Sequence, residues 1–342
     1  MQRLVTRNYV STLLLSFALL LLCNVALAQY TLVNLDSNQA GQAKHLDPLL
    51  VNGWGLAYQP SQPFWVADEG SGWSTLYDGQ GNPQSLQVVI PSANGTSAGS
   101  PTGMVYNASQ EFKIHNWVSA FIFATLDGTI SGWSNFEPNT ALIAVNNSST
   151  NASYTGLAIT NKPSGNFIFA ADINNNKVDI YDGTFKFVSS FTDTNLPAGW
   201  APFGIQDIGG KVYVAFAPTN ESPNGVIDVF GEDGTFLRRF AHGSPLNQPW
   251  GFAVAPNNFG ALSNTLLVSN NTDSGTINGF DLKTGKFVGT VTNSAGKAIV
   301  IDQLWGIEFG GGSTANGKRN QLFFTAGPNN NLDGTFGVII PQ

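Results

Sequence analysis

The sequence predicts an all-β protein, a six-bladed β-propeller with four-stranded blades. Only 11% of its residues are charged, while 38 are glycine and 24 are phenylalanine, and this balance disfavours helices and suits strands joined by tight turns. A glycine motif recurs six times at intervals of roughly fifty residues, which is the length of one blade. Apolar runs and turn residues follow each copy in the same order.

The repeated motif is a glycine that follows a bulky or polar residue and opens an apolar strand. We assign its six copies to the innermost strands of six blades. They are Trp54-Gly55-Leu56, Thr102-Gly103-Met104, Thr155-Gly156-Leu157, Phe203-Gly204-Ile205, Trp250-Gly251-Phe252 and Trp305-Gly306-Ile307. Two more apolar strands follow every copy, and turns such as Asp182-Gly183 lead into a fourth strand in five of them.

The sixth copy ends after its third strand, at residues 336–340, so its fourth strand must come from elsewhere in the chain. Residues 30–35 form a strand-like run that belongs to no other blade. We predict that these two segments pair and that the N-terminal strand closes the ring. Such closure removes the exposed sheet edges that favour aggregation.

Residues 1–28 have the order of a secretory signal peptide. Arg3 and Arg7 precede an apolar run at residues 13–25, and Ala26-Leu27-Ala28 forms a cleavage site. The predicted organisation is therefore a signal peptide at 1–28, which is removed, and a propeller at 29–342. This pattern predicts a periplasmic or secreted protein.

The only cysteine, Cys23, lies inside the predicted signal peptide. After cleavage we therefore expect no disulfide and no cysteine-based metal site. A lipoprotein anchor at Cys23 is the alternative, but Leu22 stands where such anchors have a small residue. The apolar run is short for a membrane span, so we expect no span after signal removal.

Several blades resemble NHL repeats, and the matching segments include Pro202-Phe203-Gly204-Ile205 and Gly225-Val226-Ile227-Asp228-Val229-Phe230. Residues 30–342 are also similar to a family of uncharacterised exported bacterial propellers, some of which carry PEP-CTERM tails. The segments Asn52-Gly53-Trp54-Gly55-Leu56 and Gln248-Pro249-Trp250-Gly251-Phe252 carry this similarity. The resemblance implies the six-bladed fold and no particular activity.

One candidate site is formed by the residues that precede the repeat glycines, because in such propellers the loops entering the innermost strands surround one channel mouth. The predicted ligand-binding rim consists of Trp54, Thr102, Thr155, Phe203, Trp250 and Trp305. Aromatic faces stack on sugars, quinones or prolines, and an indole N–H is a hydrogen-bond donor. The alternative is that these aromatic residues pack between blades as core.

A second candidate site is rich in oxygen ligands at the ends of the second strands. Its residues are Asp68, Glu69, Asp127, Asp172, Asn270 and Asp273. Carboxylate and amide oxygens suit Ca²⁺, which is therefore the candidate cofactor of a site assembled across blades. The alternative is that these side chains stabilise their own tight loops.

Charge and motif content favour a binding or interaction module for a small molecule, a glycan or a protein, acting as a monomer. The net charge of −7 and the absence of a basic run argue against nucleic acid. We identify no catalytic residues, because the three histidines lack metal-ligand spacing. Two alternatives stay open: a calcium-assisted hydrolase similar to lactonases, and a structural component of an envelope or matrix. Calcium-dependent lactonases share the six-bladed shape, but the stretches corresponding to their ligand positions, such as Gly53-Trp54-Gly55, carry no carboxylate here.

Overall fold

Six antiparallel sheets stand around a central axis in the computed structural model, which describes residues 29–342. This arrangement confirms the predicted six-bladed propeller. The predicted signal peptide, with Cys23, lies outside the described residues.

In chain order the strands are β1 (Tyr30–Ser37), β2 (His45–Leu46), β3 (Gly53–Tyr58), β4 (Phe64–Asp68), β5 (Trp73–Tyr77), β6 (Val88–Val89), β7 (Pro101–Tyr106), β8 (Lys113–Ile114), β9 (Trp117–Val118), β10 (Phe121–Thr125), β11 (Thr129–Trp133), β12 (Leu142–Asn146), β13 (Tyr154–Ile159), β14 (Phe167–Asp172), β15 (Lys177–Asp182), β16 (Phe187–Phe191), β17 (Trp200–Asp207), β18 (Val212–Pro218), β19 (Val226–Phe230), β20 (Phe236–His242), β21 (Pro249–Val254), β22 (Thr265–Asn270), β23 (Ile277–Asp281), β24 (Phe287–Thr290), β25 (Leu304–Phe309), β26 (Leu322–Ala326) and β27 (Thr335–Pro341).

Blades 1 to 5 are β3-β4-β5-β6, β7-β10-β11-β12, β13-β14-β15-β16, β17-β18-β19-β20 and β21-β22-β23-β24, and blade 6 is β25-β26-β27-β1. The short strand β2 extends blade 6 in parallel to β1, and the hairpin β8-β9 is inserted into blade 2. Because strands alternate in direction, one face carries both the connections between blades and the loops between second and third strands. We call it the entry face.

Helical structure within residues 29–342 is confined to three short turns. These are Ser148–Thr150, Gly260–Leu262 and Pro328–Asn331. Over the same residues, no helix has the length and apolar character needed to cross a bilayer.

The ring closes as predicted. β1 pairs antiparallel with β27, from Tyr30 opposite Pro341 to Ser37 opposite Thr335, with one register shift between Asn34 and Asp36. The N-terminal strand therefore supplies the fourth strand of the last blade.

Six hydrophobic clusters lie between neighbouring blades, one at each interface around the ring. β4 shows how a strand serves two of them, since side chains alternate across a sheet. Phe64 and Val66 pack towards blade 6, while Trp65 and Ala67 pack towards blade 2. Second strands therefore have apolar side chains on both sides, because both sides are buried. Each such large side chain stabilises the fold by about 1.5–3 kcal/mol.

The six repeat glycines lie where the inner strands of adjacent blades approach most closely. A Cβ atom on Gly204 would lie 1.9 Å from the carbonyl oxygen of Trp250 on the next blade. The equivalent distances to the next blade are 2.4 Å from Gly55 to Thr102 O, 2.3 Å from Gly103 to Leu157 N, 3.0 Å from Gly156 to Phe203 O, 2.7 Å from Gly251 to Trp305 O and 2.6 Å from Gly306 to Trp54 O. The motif is therefore glycine because the ring leaves no space for a side chain.

We predict that Gly204→Ala lowers the free energy of unfolding by about 3 kcal/mol, because the new methyl group would overlap a backbone carbonyl that cannot rotate away. Gly289→Ala is the matched control, since Gly289 is also in a strand and its nearest atom, Leu262 Cδ2, would lie 3.4 Å from a Cβ. The control is expected to change stability by less than about 1 kcal/mol. Urea denaturation midpoints measure both, and equal effects would contradict this explanation of the repeat.

Candidate functional site

Four of the six predicted rim residues lie in contact with one another on the propeller axis. The indole rings of Trp54 and Trp305 stack with centroids 3.6 Å apart. Trp250 stands edge-on to both, and Phe203 lies edge-on to Trp305. All four are only 3–9% exposed. We call this group the aromatic plug, because it fills the channel at the entry face.

Two indole N–H groups of the aromatic plug are hydrogen-bonded within the protein. Trp305 Nε1 donates to Asn52 Oδ1 at 2.9 Å, and Trp250 Nε1 reaches across the axis to Thr155 O at 3.0 Å. Trp54 Nε1 is buried without a partner within residues 29–342. Two of the three indoles are thus held by backbone or amide groups of other blades.

The other two predicted rim residues, both threonines, join inner strands of neighbouring blades. Thr102 Oγ1 donates to Tyr154 O at 2.6 Å, and Thr155 Oγ1 donates to Phe203 O at 2.8 Å. The structure therefore brings the six residues together as a closed centre. Ligand binding at a rim stays a prediction.

Three residues that precede the plug tryptophans orient them. Asn52, Gln248 and Gln303 each stand two positions before a tryptophan, and each has φ of 49° in the left-handed region. Their backbone N–H groups donate to the preceding blade, to Asp333 O at 3.0 Å, Asn224 O at 3.0 Å and Thr272 O at 2.9 Å respectively. These links have a signal in the sequence: an amide residue, then any residue, then Trp and Gly. The sequence predictions did not use this signal.

Beyond the aromatic plug the channel contains a space of about 40 Å³ lined by the inner strands. Glu308 lies on its wall, and burial raises the pKa of this carboxyl group to about 7. This volume holds a water molecule but no organic ligand.

The six predicted oxygen ligands are each hydrogen-bonded to another residue of the protein. Their partners are Thr75 N and Oγ1 for Asp68, Asn52 Nδ2 for Glu69, Ala93 N for Asp127, Ser153 N for Asp172, Asn247 N for Asn270 and Gln303 Nε2 for Asp273. No three His, Cys, Asp or Glu side chains in residues 29–342 form a group that could hold a metal ion. The donor set therefore does not fit a shared calcium site, and calcium binding stays a prediction from the sequence.

A Gly-x-Ser-x-Gly sequence occurs at residues 95–99, but its surroundings are not those of a nucleophilic serine. Ser97 lies in an exposed turn, where its hydroxyl contacts Ser92 and Asn94. The strand-to-helix turn that exposes such a nucleophile is not formed there.

A groove lies between blades 2 and 3, on the outer half of the ring. Its volume is about 550 Å³. One wall consists of the end of β12 and the turn that follows, including Asn147, and the other consists of β15 and Phe187 of β16. Lys177, Asp179 and Tyr181 share one side of β15, because alternate residues of a strand face the same way.

A hydrogen-bond network fixes the inner wall of this groove. Asn147 Nδ2 donates to the hydroxyls of Tyr154 at 2.8 Å and Tyr181 at 2.7 Å. Tyr154 donates to Asp179 Oδ2 at 3.0 Å, so Tyr181 donates to Tyr154 across the 2.9 Å between their hydroxyls. Lys177 Nζ lies 2.8 Å from Asp179 Oδ1. The hydrogen bonds therefore fix the orientation of the Asn147 amide and of the two tyrosine hydroxyls.

The two tyrosines act as neutral hydrogen-bonding groups. Burial raises the pKa of Tyr181 to about 12 and raises the pKa of Tyr154 still further. Neither phenol is therefore a base near neutral pH. Asp179 is 1% exposed and is balanced by the half-buried ammonium of Lys177.

Phe187 gives the groove an apolar surface. Its ring is 52% exposed and stands edge-on to Tyr181, with centroids 5.9 Å apart. An exposed ring face beside a charged and amide-lined wall can hold a molecule that has both C–H and polar edges. The sequence predictions did not include the residues of this groove. The one signal for them in the sequence was the polar residue at every second position of the strand, Lys177, Asp179 and Tyr181.

No protein-family model matches the chain. The uncharacterized protein R648 of Acanthamoeba polyphaga mimivirus is 31% identical over 329 residues, which cover 89% of this chain and 78% of R648. The uncharacterized protein L690 of the same virus is 29% identical over 337 residues, or 92% of this chain and 87% of L690. A solved streptogramin B lyase superposes with a TM-score of 0.55 at 12% identity, over 92% of this chain and 98% of the lyase. The likeness to the lyase shows the fold alone.

We predict that Tyr181→Phe lowers the free energy of unfolding by about 1–2 kcal/mol, because the change removes one hydroxyl from the buried network. Tyr213→Phe is the control: Tyr213 is also buried, and no hydrogen bond of its hydroxyl is found within residues 29–342. The control is expected to be nearly neutral. Denaturation midpoints measure both variants, and a neutral Tyr181→Phe would show that the network is not formed.

Proposed function

We propose that this chain, which belongs to the same family as the mimivirus protein R648, is an extracytoplasmic binding module that holds its ligand in the groove between blades 2 and 3. A propeller fold is suited to a binding or interaction role, since rigid blades present loops and grooves around a fixed ring. The observation that carries the choice of site is the groove itself. Its volume of about 550 Å³ is within the range of small-molecule sites.

The groove is preorganised for binding. The hydroxyls of Tyr154 and Tyr181 are both engaged in the network with Asn147 and Asp179, so its wall keeps its shape when no ligand is present. A ligand would therefore lose little affinity to ordering of the protein. The ammonium of Lys177 pairs with Asp179 by charge at 2.8 Å and has N–H donors to offer to a ligand.

We propose a glycan or another polyhydroxylated ring compound as the ligand. The exposed face of Phe187 can pack against the C–H face of a sugar ring. Lys177 and the amides that line the groove, Asn146 and Asn175, stand where hydroxyl groups would lie. A strongly anionic ligand is disfavoured, because Asp179 already neutralises Lys177.

The extracytoplasmic part of the proposal is supported by the basic, apolar and Ala-x-Ala segments of residues 1–28. The NHL-like blade pattern adds support for a role in interaction. The channel face predicted from the sequence is the other location for a ligand.

We predict that Phe187→Ala weakens binding of a glycan ligand at least about tenfold, because it removes the apolar platform of the groove. A panel of immobilised glycans identifies the ligand, and titration calorimetry measures its affinity. Phe287→Ala is the matched control, since Phe287 also opens the fourth strand of its blade and is 49% exposed. Full affinity in Phe187→Ala, or equal loss in both variants, would place the site elsewhere.

We predict that the chain expressed in a secreting host is recovered outside the cytoplasm with Gln29 as its first residue. N-terminal sequencing measures this. Ala28→Glu is expected to block cleavage, because signal peptidase sites need small residues. Retention of residues 1–28 in the unmodified protein would overturn the export proposal without affecting the binding proposal.

A further inference from the structure

Three aspartates come together at the seam where the N-terminal strand meets blade 1. Asp36 is in β1, Asp47 follows β2, and Asp68 ends β4. Their exposed fractions are 0%, 6% and 0%. We call this group the closure seam.

The carboxylate oxygens of the closure seam are unequally partnered. Asp47 accepts from Leu49 N at 2.9 Å and from the Tyr77 hydroxyl at 3.0 Å. Asp68 accepts on Oδ2 from Thr75, while its Oδ1 has no partner. Both oxygens of Asp36 are buried without a hydrogen-bond partner within residues 29–342.

No basic group neutralises Asp36. His45 of β2 lies opposite Asp36 in the strand register, but the two do not form an ion pair. The acidic residues that form ion pairs within residues 29–342 are Glu232, Asp179, Asp193 and Asp228. Lys44 is exposed. The remaining titratable groups that face Asp36 are Asp47, Asp68 and the phenol of Tyr77. An ionised carboxylate buried among like charges without a partner is strongly destabilising.

We propose that Asp36 holds a proton in the folded ring in mildly acidic surroundings, so that closure of the propeller by β1 is tighter in acidic than in alkaline surroundings. A neutral carboxyl group at Asp36 removes its repulsion from Asp47, and burial also raises the pKa of the neighbouring Asp68 well above its usual range. Loss of the proton places a bare charge on the strand that closes the ring.

The direction of the titration agrees with the geometry. Burial, with the charge of Asp47 as the second cause, raises the pKa of Asp36 from 3.8 to about 7. The backbone N–H groups of Ser37 and Asp47 are near enough to oppose this rise, although neither makes a hydrogen bond to the Asp36 oxygens, and Asp47 N donates to Ser37 O instead. In the unfolded chain the carboxyl group loses its proton near its ordinary pKa. The folded state therefore binds more protons between about pH 4 and pH 7, and stability falls as pH rises through this window.

The test compares denaturation midpoints of the purified protein at pH 5 and pH 8. The midpoint is expected to be higher at pH 5. Asp36→Asn mimics the protonated group, so we expect it to raise the midpoint at pH 8 and to reduce the difference between the two pH values. The slope of stability against pH should show that Asp36→Asn releases about one fewer proton on unfolding than the unmodified protein does.

Asp172→Asn is the matched control, because Asp172 ends the second strand of blade 3, is equally buried, and accepts from Ser153 and Asn175 on its two oxygens. It is expected to leave the difference between pH 5 and pH 8 unchanged. Infrared spectroscopy adds a direct readout, since a protonated carboxyl group absorbs apart from a carboxylate, and Asp36→Asn should reduce this absorption by the share of one group while Glu308 and Asp68 keep theirs.

An unaltered pH difference in Asp36→Asn, with no loss of a protonated carboxyl band, would overturn the proposal. So would stabilisation of the unmodified protein by added Ca²⁺ at pH 8 that is lost in Asp36→Asn, because a bound cation would then take the place of the proton.

Discussion

The close approach of six inner strands around the axis is the constraint on which the rest of the structure depends. At each repeat glycine the backbone of one blade lies against the backbone of the next, as between Gly204 and Trp250 O. This contact sets the distance of every inner strand from the axis. The blades can then bury their faces against each other in six clusters, and the residues before the glycines are directed to the centre.

The narrow ring also decides where a ligand can bind. Trp54, Trp250, Trp305 and Phe203 fill the entry side of the channel, so open volume is found further out, between blades. The polar wall differs between blades 3 and 4. Asp179 of blade 3 is opposite the small residue Ser190 and pairs with Lys177. The equivalent Asp228 of blade 4 is opposite Arg239, which donates to it.

The fold was predictable because its signals are repeated and local. The glycine motif marks each inner strand, and the missing fourth strand of the last blade identifies residues 30–35 as the closing strand. The candidate sites were less predictable, because the repeat pattern shows which blade a residue belongs to but does not show how far its side chain lies from the propeller axis. The six residues before the glycines do come together, but as a closed centre. The oxygen-rich residues each have their own hydrogen-bond partner, some within a blade, as Asp68 has Thr75, and some on a neighbouring blade, as Asp273 has Gln303.

The groove between blades 2 and 3 could not be located from sequence because its walls come from two repeats. Asn147 belongs to the connection between the blades, and Tyr154 and Asp179 belong to different strands of blade 3. Their contact depends on how one blade packs on the next. Only the alternation of Lys177, Asp179 and Tyr181 along β15 was visible in the sequence.

We propose that ligand binds between blades and not over the channel, and crystals of the protein soaked in mono- and disaccharides test this directly. We expect a sugar ring packed on Phe187, with hydroxyl groups close to Lys177. A sugar bound over Trp54 and Trp305 at the entry face, with the groove beside Phe187 occupied only by solvent, would contradict it.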